Sequence, residues 1–513
     1  MKKGDLVFRA LGICFFVVLC INMLVALFGV LPVTAVNSTD EACYGINAYE
    51  MIRNNNIWVN TLKYNPDYYN SKPPLMLWLI MIGYKIYGYN AMGLRVASAV
   101  CGFILYILVS FWLYKVRDGF TAVLFAAFLP ACTLLFDFHM MRSGDTDSLY
   151  VLCFTIAMMG LIMALRSPMW LLLYGVAFGL AFMTKSTHAA LIIIIGLLCI
   201  PYLVRAGIKF KHIIMSAFGA IVMILPWFIK RMSYDGLEFV KVMVLGETLS
   251  YAQGNVQKSD FIETFTYVMQ LYREPVCDIA GIIIVIAIVV RYIDWVGTSV
   301  DNKKRSISFI HELINYRRYV LIVWFLVVVG AFSVVRARLE WYIYPAYIPL
   351  MMAAAECGAY LVKMLYHGGK KAVAIGLILV MVVPSIMISV NNIREYPWNG
   401  TGGNPIVNFS IDIEELKNNK EITTSNKNAF IENSYNDYKP YGEWELDCVF
   451  YCETILDMRC VDGGVEGFLA TDDMDAILFL DKTLWDQYSG VLTGYVILQD
   501  NNFLIFSKHK YGE

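Results

Sequence analysis

Long apolar segments follow one another through the first 390 residues, and they constrain the fold more than any other feature. A helix needs about 20 apolar residues to cross a hydrocarbon layer of roughly 30 Å. Segments of about this length, or slightly shorter, lie at 7–33, 91–114, 120–138, 148–165, 169–184, 187–204, 212–230, 277–293, 319–335, 342–365 and 372–390. Hydrophobic residues make up 58% of the chain and charged residues only 16%. The sequence therefore predicts a polytopic α-helical membrane protein with about 11 transmembrane helices.

The N-terminal segment and the net charge bear on three other interpretations: a cleaved signal peptide, a nucleic-acid-binding protein and a polybasic protein of the membrane surface. The apolar run within 7–33 is longer than the roughly 7–15 residues of a signal-peptide core, and no small-residue cleavage site follows it. We therefore expect it to remain as the first transmembrane helix. The net charge is −1, which argues neither for a nucleic-acid-binding protein nor for a polybasic protein of the membrane surface.

Lysine and arginine residues in the loops predict the orientation. Cytoplasmic loops carry an excess of these residues. They gather at the N-terminus and in the loops 115–119, 166–168, 205–211, 294–318 and 366–371. We expect a protein of the cytoplasmic (inner) membrane with a cytoplasmic N-terminus. The remaining loops and the C-terminal tail then lie on the outer face: 34–90, 139–147, 185–186, 231–276, 336–341 and the residues from 391.

Residues 73–87 form a twelfth apolar segment, interrupted by Gly83 and Lys85. Counting it as a span would invert every later segment and place a cluster of basic residues outside. We therefore expect a juxtamembrane helix near 73–87 on the outer face. Apolar residues at helical spacing predict a second, amphipathic helix near 41–53 in the same outer loop, 34–90.

The composition changes near residue 395. The stretch NNIREYPWNGTGGNP is rich in glycine, asparagine and proline, as linkers are. Short apolar runs between turn residues then predict strands. We expect a transmembrane domain over 1–394 and a small outward-facing soluble α/β domain over 395–513. Three of the 12 cysteines lie in this second domain: Cys448, Cys452 and Cys460. One disulfide between two of them would suit an oxidising compartment.

Charged residues gather in the loops assigned to the outer face. Asp40 and Glu41 directly follow the first span, and carboxylates in such a place commonly cap a helix. Arg142, Asp145 and Asp147 lie in the next outer loop. An Asp-x-Asp pair can hold a divalent cation, and it can equally cap the helix that follows.

Two lysines and a further outer loop complete the set of candidates. Lys72 ends an outer loop, and Lys185 lies between two apolar runs. Ionisable residues at such positions are costly and mark functional sites, although a lysine can also extend its side chain to the membrane surface. Arg338 and Tyr342 lie in the loop before the tenth span. Acids and cations gathered at one interface suit an anionic lipid headgroup better than a solute path through the membrane.

Several motifs in a fixed order carry a family resemblance. DEACYGINAYEMIRNNNIW is followed by SKPPLMLW and GYNAMGLR, and later segments read RSGDTD, LAFMTK and YIYP. In this order they resemble the GT-C lipid-linked-sugar glycosyltransferases, most of all the lipid A aminoarabinose transferases and, further away, the protein O-mannosyltransferases. The resemblance covers roughly residues 1–390. It implies a GT-C fold and transfer of a hexose or pentose, with inversion, from a polyprenyl-phosphate donor among the membrane lipids to a lipid, glycan or protein acceptor of the envelope.

The resemblance also implies roles for individual residues. Asp40 falls on the family's first-loop aspartate, a general base or acceptor-orienting group, and Asp147 falls on its second-loop aspartate. Lys72, Lys185 and Tyr342 match positions that contact the lipid phosphate. Substrate-binding roles are expected for the residues around them: Glu41, Tyr44, Arg142, Asp145 and Arg338.

The chain departs from these enzymes where a metal is concerned. Some relatives carry an acidic residue directly before the KPP lysine, at a metal-binding position, and this chain has Ser71 there. The loop 245–255 also lacks a histidine. No metal ligand is assigned, and a divalent cation as cofactor stays open.

A transporter or flippase of a lipid-linked saccharide is the main alternative function. Such proteins are often built from repeats and carry charges near the membrane midplane. No internal repeat stands out in this sequence, and the charges gather at the outer ends of the spans. An inactive scaffold whose outer domain binds an envelope glycan is a further alternative, which the joint presence of acids and lysines disfavours.

Overall fold

The structure is a computed structural model that describes residues 3–511 except 37, 69, 137–138, 250–264, 302–314, 336–337, 396–404, 420–421 and 434–445. Within the described residues a bundle of helices extends to Glu395, and a mixed α/β unit begins at Pro405. The linker predicted to follow residue 395 falls largely on 396–404, outside the described residues.

Helices α1 to α15 form the bundle. They are α1 Lys3–Phe28, α2 Thr39–Arg53, α3 Leu75–Tyr87, α4 Ala91–Val116, α5 Gly119–Phe128, α6 Asp147–Met163, α7 Trp170–Lys185, α8 Ala190–Arg205, α9 Phe210–Asp235, α10 Glu238–Lys241, α11 Thr266–Arg273, α12 Pro275–Asp301, α13 Tyr316–Val334, α14 Tyr344–His367 and α15 Lys371–Glu395. Each predicted span overlaps one of these helices, although for the span predicted at 120–138 the α-helix covers only Gly119–Phe128. Short 3-10 segments follow α5 and precede α14.

Seven helical segments of the described chain are long and apolar enough to cross a membrane. One of them, Trp170–Arg205, holds both α7 and α8, because the helix is broken at Ser186, whose φ is 44°. Shorter apolar helices correspond to the remaining predicted spans: Gly12–Phe28, Gly119–Ala131 and Asp147–Met163. The chain is a multi-pass membrane protein, as predicted.

Large apolar side chains are exposed around the bundle. Leu197, Phe218, Ile282 and Val285 are each more than half exposed. Soluble monomeric proteins rarely expose such surface in large patches, since water contact costs about 25 cal/mol per Å² of apolar area. Hydrocarbon is the solvent that this surface suits.

The helices inside this surface pack closely. Almost every residue of α6 is buried, whereas α9 buries only Gly219, Ala220, Trp227 and Arg231. α7 separates these two helices and meets α9 through small residues, as membrane helices often do. A Cβ on Gly175 of α7 would lie 1.8 Å from the carbonyl oxygen of Ser216 in α9, so only glycine permits this approach.

Helix α3 corresponds to the twelfth apolar segment. Its 13 residues extend for about 20 Å at 1.5 Å per residue, which is less than the roughly 30 Å of a bilayer core. It begins directly after Pro73 and Pro74, and a proline ring suits the first turn of a helix. A Cβ on Gly83 would lie 2.1 Å from the carbonyl oxygen of Gly93, so α3 lies closely against α4.

Helix α2 forms where the second loop helix is predicted, but it is an interior helix. Every residue from Glu41 to Met51 is buried, whereas we expected an amphipathic helix at the membrane surface. Its surroundings explain the difference: α3 packs on one side of it and the C-terminal unit on another.

Close contacts join the C-terminal unit to α2. The ring of Phe450 packs on Gly45 so tightly that a Cβ at this position would lie 2.6 Å from it. The hydroxyl of Tyr49 donates a hydrogen bond to Asp457 (2.6 Å). The C-terminal unit is therefore attached to the loop 34–90 of the bundle.

The C-terminal unit is α/β, as predicted. Its helices are α16 Pro405–Asn418, α17 Leu446–Phe450, α18 Gly464–Ala470 and α19 Trp485–Leu492. Its strands are β3 Asn428–Glu432, β4 Arg459–Cys460, β5 Ile477–Asp481, β6 Tyr495–Asp500 and β7 Phe503–Lys510. β1 Thr61–Leu62 and β2 Asn65–Pro66 form a small hairpin in the loop between α2 and α3. The sheet order is β4-β3-β5-β7-β6. β3 is parallel to β4 and β5, and β7 is antiparallel to β5 and β6.

The described structure has no disulfide between the three cysteines of this unit, for which one was considered: Cys448, Cys452 and Cys460.

Candidate functional site

The candidate residues meet at the end of the bundle where α2 begins. Asp40 lies in the first turn of α2, and α6 begins at this end with Asp147. α7 ends here with Lys185, and the 3-10 turn Glu340–Ile343 carries Tyr342 to the start of α14. The antiparallel run of the helices thus brings together residues that are far apart in sequence. We call this the site end.

Asp40, His139 and Asp145 form a compact cluster there. Nδ1 of His139 lies 3.0 Å from Oδ1 of Asp145 and 3.8 Å from Oδ2 of Asp40. His139 and Asp145 are buried, but the Asp40 side chain is 37% exposed. The imidazole ring stacks on Trp341, with 3.8 Å between the ring centroids. Asp40 is therefore the accessible member of a cluster that is otherwise closed.

The members of this cluster shift one another's pKa values. Burial acts to lower the pKa of His139, but the carboxylates of Asp145 and Asp40 outweigh it and raise the pKa above 6.5. Burial acts to raise the pKa of Asp145, but His139 and the hydroxyl of Ser143 outweigh it and hold the pKa below 3.8. Each charged form thus depends on its neighbour.

Lys185 forms a second buried group with Asp147. Its Nζ is ion-paired with Oδ1 of Asp147, and the two side chains are 4% and 3% exposed. The ammonium group also lies 5.9 Å and 5.7 Å from the ring centroids of Tyr150 and Tyr342. A cation in the last turn of a helix interacts favourably with the helix dipole. Asp147, predicted to be catalytic, thus has a contact that fixes the position of Lys185.

Lys72 and Tyr44 form a third group. The Lys72 ammonium lies 5.5 Å from the centroid of the Tyr44 ring. Burial raises the pKa of Tyr44 well above 10, so its hydroxyl stays protonated and can donate a hydrogen bond, while the charges of Lys72, Asp40 and Asp145 all act on it. Tyr44 therefore lies between the lysine and the cluster around His139.

The loop before Lys72 is held by buried amides. Asn47 of α2 donates to the carboxylate of Asp67 (2.9 Å) and to the carbonyl of Thr61 (2.7 Å). Asn70 in turn donates to the side-chain oxygen of Asn47 (2.8 Å). Hydrogen bonds between buried groups are strong because the local dielectric constant is low. The position of Lys72 is therefore fixed relative to α2.

Glu41 does not face the site in the way we expected of a substrate-binding residue. Its carboxylate is buried and pairs with Arg95 of α4 (2.6 Å). It also accepts a hydrogen bond from the backbone N–H of Gly144 (2.8 Å). These contacts satisfy a buried charge, so Glu41 holds α2, α4 and the loop before α6 together.

Arg142 likewise bonds to the protein itself. Its side chain donates to the carbonyl of Ala26 (2.6 Å) and to the carbonyl of Asn392 (3.1 Å). These carbonyls belong to the last turns of α1 and α15, where helices leave such groups without an internal partner. These contacts give Arg142 a structural role, and the substrate-binding role expected for it stays a prediction.

Arg338 lies half-buried just before the turn that carries Trp341 and Tyr342. This turn is held from α11, because Tyr267 donates to the carbonyl of Leu339 and Gln270 to that of Glu340, both at 3.0 Å. Arg338 therefore lies three residues before Trp341, in the same short segment.

Two residues of the site end were missed in the sequence. His139 precedes the RSGDTD motif by only a few residues, and its place in a short polar loop was the available signal. Arg231 lies at the end of an apolar helix and is buried, where it donates to Asp235 (2.8 Å) and to Asn60 (3.2 Å). Asp235 lies one helical turn after Arg231 and is a partner that helical spacing indicates, whereas nothing near Arg231 in the sequence indicates Asn60.

Comparison with known proteins bears on this site. Residues 71–229 match the family described as dolichyl-phosphate-mannose-protein mannosyltransferase, a stretch that includes Lys72, His139, Asp147 and Lys185. A relative from Aquifex aeolicus (strain VF5), an uncharacterized protein, is 22% identical over 349 residues, or 66% of this chain. The chain spans 63% of that relative's length.

Two solved structures have a similar fold over almost the whole length of this chain. ArnT from Cupriavidus metallidurans bound to undecaprenyl phosphate superposes with a TM-score of 0.69 and 16% identity, covering 99% of each chain. The chain has the fold of ArnT. The apo state of the same protein gives a TM-score of 0.70 and 14% identity, again over 99% of each chain. Together with the family match, this confirms the predicted GT-C resemblance and fold class.

Proposed function

We propose that the protein is a membrane glycosyltransferase that transfers a sugar, with inversion, from a polyprenyl-phosphate donor to an envelope acceptor. One observation carries the proposal: the partly exposed carboxylate of Asp40 shares the site end with Lys72 and Lys185. ArnT, which has the same fold, binds undecaprenyl phosphate. A phosphate with a long lipid tail suits a cationic site at the edge of a lipid-exposed bundle.

The cations stabilise the leaving group. When the bond between the anomeric carbon and the phosphate oxygen breaks, negative charge grows on the phosphate. Lys72 and Lys185 supply positive charge, and the hydroxyls of Tyr44 and Tyr342 supply hydrogen-bond donors. Fixed donors in a closed site lower the barrier because they need not reorganise during the reaction.

Asp40 acts on the acceptor. Its carboxylate takes the proton from the acceptor's hydroxyl or amino group as that group attacks the anomeric carbon. The attack comes from the face opposite the phosphate, so one displacement inverts the anomeric centre and releases polyprenyl phosphate. The proton ends on the Asp40 carboxylate, which explains why this acid must be accessible.

The other residues bind or position. Asp147 holds Lys185 in place through their ion pair, while Asp145 and Arg338 lie beside the sugar and phosphate. The loop charges favour an outer-face site, with a cytoplasmic N-terminus and the C-terminal unit on the side of the acceptor, which can be lipid A, another glycan or a protein.

Replacing Asp40 tests the proposal. Asp40→Asn keeps the shape and removes the base, so we expect kcat to fall about 10²–10⁴-fold. The assay incubates the purified protein in lipid nanodiscs with a panel of undecaprenyl-phosphate pentoses and hexoses and an envelope extract, and mass spectrometry detects an acceptor heavier by one sugar. Asp462→Asn, at an exposed carboxylate of the C-terminal unit, is the matched control.

Wild-type transfer by Asp40→Asn would refute the assignment of the base. A wild-type protein that moves a lipid-linked sugar across a proteoliposome bilayer, without transferring it to any acceptor, would instead identify a flippase.

A further inference from the structure

We propose that Asp40, His139 and Asp145 bind a divalent cation, an inference that rests on the proposed function and adds a metal to its site. The three ligand atoms all lie within 4.8 Å of one another. This set does not include position 71, where some relatives carry an acidic residue and this chain has Ser71. The chain would thus hold its metal with other residues.

The distances fit a shared ion. Imidazole and carboxylate ligands bind divalent ions such as zinc at about 2.0–2.2 Å, so neighbouring ligand atoms lie roughly 3 Å apart. Nδ1 of His139 and Oδ1 of Asp145 are 3.0 Å apart. Among the described residues, Oδ1 of Asp145 is buried and accepts no hydrogen bond of good geometry. These two atoms are close together but do not have the geometry of a hydrogen bond with each other. Their arrangement suits two ligands of one ion.

The surroundings already fix the ligands. The second oxygen of Asp145 accepts a hydrogen bond from the Ser143 hydroxyl, and the His139 ring stacks on Trp341. Metal ligands are typically oriented by such outer contacts. His139 also has a φ of 59°, a backbone conformation that is uncommon for residues other than glycine and is found at functional sites.

The donor set selects the class of ion. Two carboxylates and one imidazole suit Mn²⁺, Mg²⁺ or Zn²⁺, and the set contains no sulfur ligand that would favour softer metals. Three protein ligands leave coordination positions open, as in catalytic sites. The open side is that of Asp40, whose side chain is 37% exposed.

Metal binding by the purified full-length chain tests the proposal. The protein, stripped with a chelator and dialysed, is titrated with Mn²⁺, and free Mn²⁺ is followed by electron paramagnetic resonance. We expect about one Mn²⁺ per chain. His139→Ala and Asp145→Asn should each raise the Kd at least about 10-fold. His367→Ala, at the far end of α14, is the matched control and should bind as wild type does.

A second measurement needs no variant. Electron spin echo envelope modulation of Mn²⁺ bound to the wild-type protein should show coupling to one imidazole nitrogen. Absence of Mn²⁺ binding, absence of this nitrogen coupling, or equal Kd values for wild type and His139→Ala would each overturn the proposal. This readout therefore decides the matter even where a variant fails to fold.

Failure of the metal site and failure of the proposed function give different results. Binding is measured without donor or acceptor, so a metal-binding chain that transfers no sugar keeps the metal site and loses the function. Transfer at an unchanged rate in chelator, by a chain that binds no Mn²⁺, keeps the function and removes the metal site.

Discussion

The two ends of the helix bundle both carry ion pairs, but in different surroundings. At the site end, the side chains of Lys185 and Asp147 are 4% and 3% exposed. At the opposite end, Lys363 and Asp118 also pair, yet their side chains are 46% and 35% exposed. A lysine–aspartate ion pair is therefore exposed to solvent at one end of the bundle and buried at the other.

This difference in exposure implies a difference in the free energy that each ion pair contributes to folding. An exposed pair contributes only about 0–1 kcal/mol, and basic residues at that end suit the orientation of the helices. A buried pair must offset the loss of hydration of two ions, which is several kcal/mol each. Buried charges with strong mutual dependence are typical of functional sites, so burial at the site end is consistent with the proposed chemistry.

Removing one lysine from each end tests this comparison, and the largest effect is expected at the site end. Lys185→Met leaves Asp147 buried and unpaired, so we expect the free energy of unfolding to fall by about 3–5 kcal/mol. Lys363→Met at the opposite end should cost about 0–1 kcal/mol. Titration of each protein with SDS in mixed micelles measures both. Equal effects would mean that the two ends do not differ.

Stability and activity can then be separated. A double variant, Lys185→Met with Asp147→Leu, removes both charges and should recover much of the lost stability, because an apolar pair can replace a buried ion pair. Sugar transfer should stay low, since the phosphate loses a cation. Recovery of transfer together with stability would show that the pair is only structural.

A smaller effect is expected for the half-buried lysine of the site end. Lys72→Ala removes a charge-assisted contact to the donor phosphate worth about 1.5–3 kcal/mol, so kcat/KM for the donor should fall roughly 10–100-fold. Lys63→Ala is the control in the same loop, because Lys63 pairs with the exposed Asp462 at 2.9 Å. Donor titrations of both variants measure the change, and equal kcat/KM values would remove the phosphate role of Lys72.

Two cysteine variants, which are expected to disturb the protein least, test which end of the helix bundle faces the outside of the cell. Asp475→Cys in the C-terminal unit and Lys370→Cys in the loop after α14 both introduce exposed thiols and should leave transfer unchanged. An impermeant maleimide applied to intact cells should label Asp475→Cys above the wild-type background and label Lys370→Cys only after permeabilisation. The reverse pattern would invert the orientation and move the site end to the cytoplasm.

Much of the bundle could be predicted because apolar length is a local property of the sequence. Lys72 and Lys185 could be singled out for a related reason: a charge beside an apolar run is costly whatever it contacts. Helix α2 was predicted near its observed bounds, but its burial was not, because the periodic pattern does not indicate which surface covers a helix.

The partners of individual charges could not be predicted. Glu41 pairs with Arg95, 54 positions along the chain, and Arg142 bonds to carbonyls of Ala26 and Asn392. Those contacts depend on how the helices pack, which neighbouring residues in the sequence do not specify. His139 is a similar case, since only the fold brings it beside Asp40.

Helix α2 has one further consequence. Asp40 lies in its first turn, while Tyr49 and Arg53 near its other end contact Asp457 of the C-terminal unit. Fifteen residues make a rod of about 22 Å, and a buried helix moves as one piece. One buried helix therefore links the two, so the distance between the Asp40 carboxylate and the C-terminal unit is set by a single rigid element.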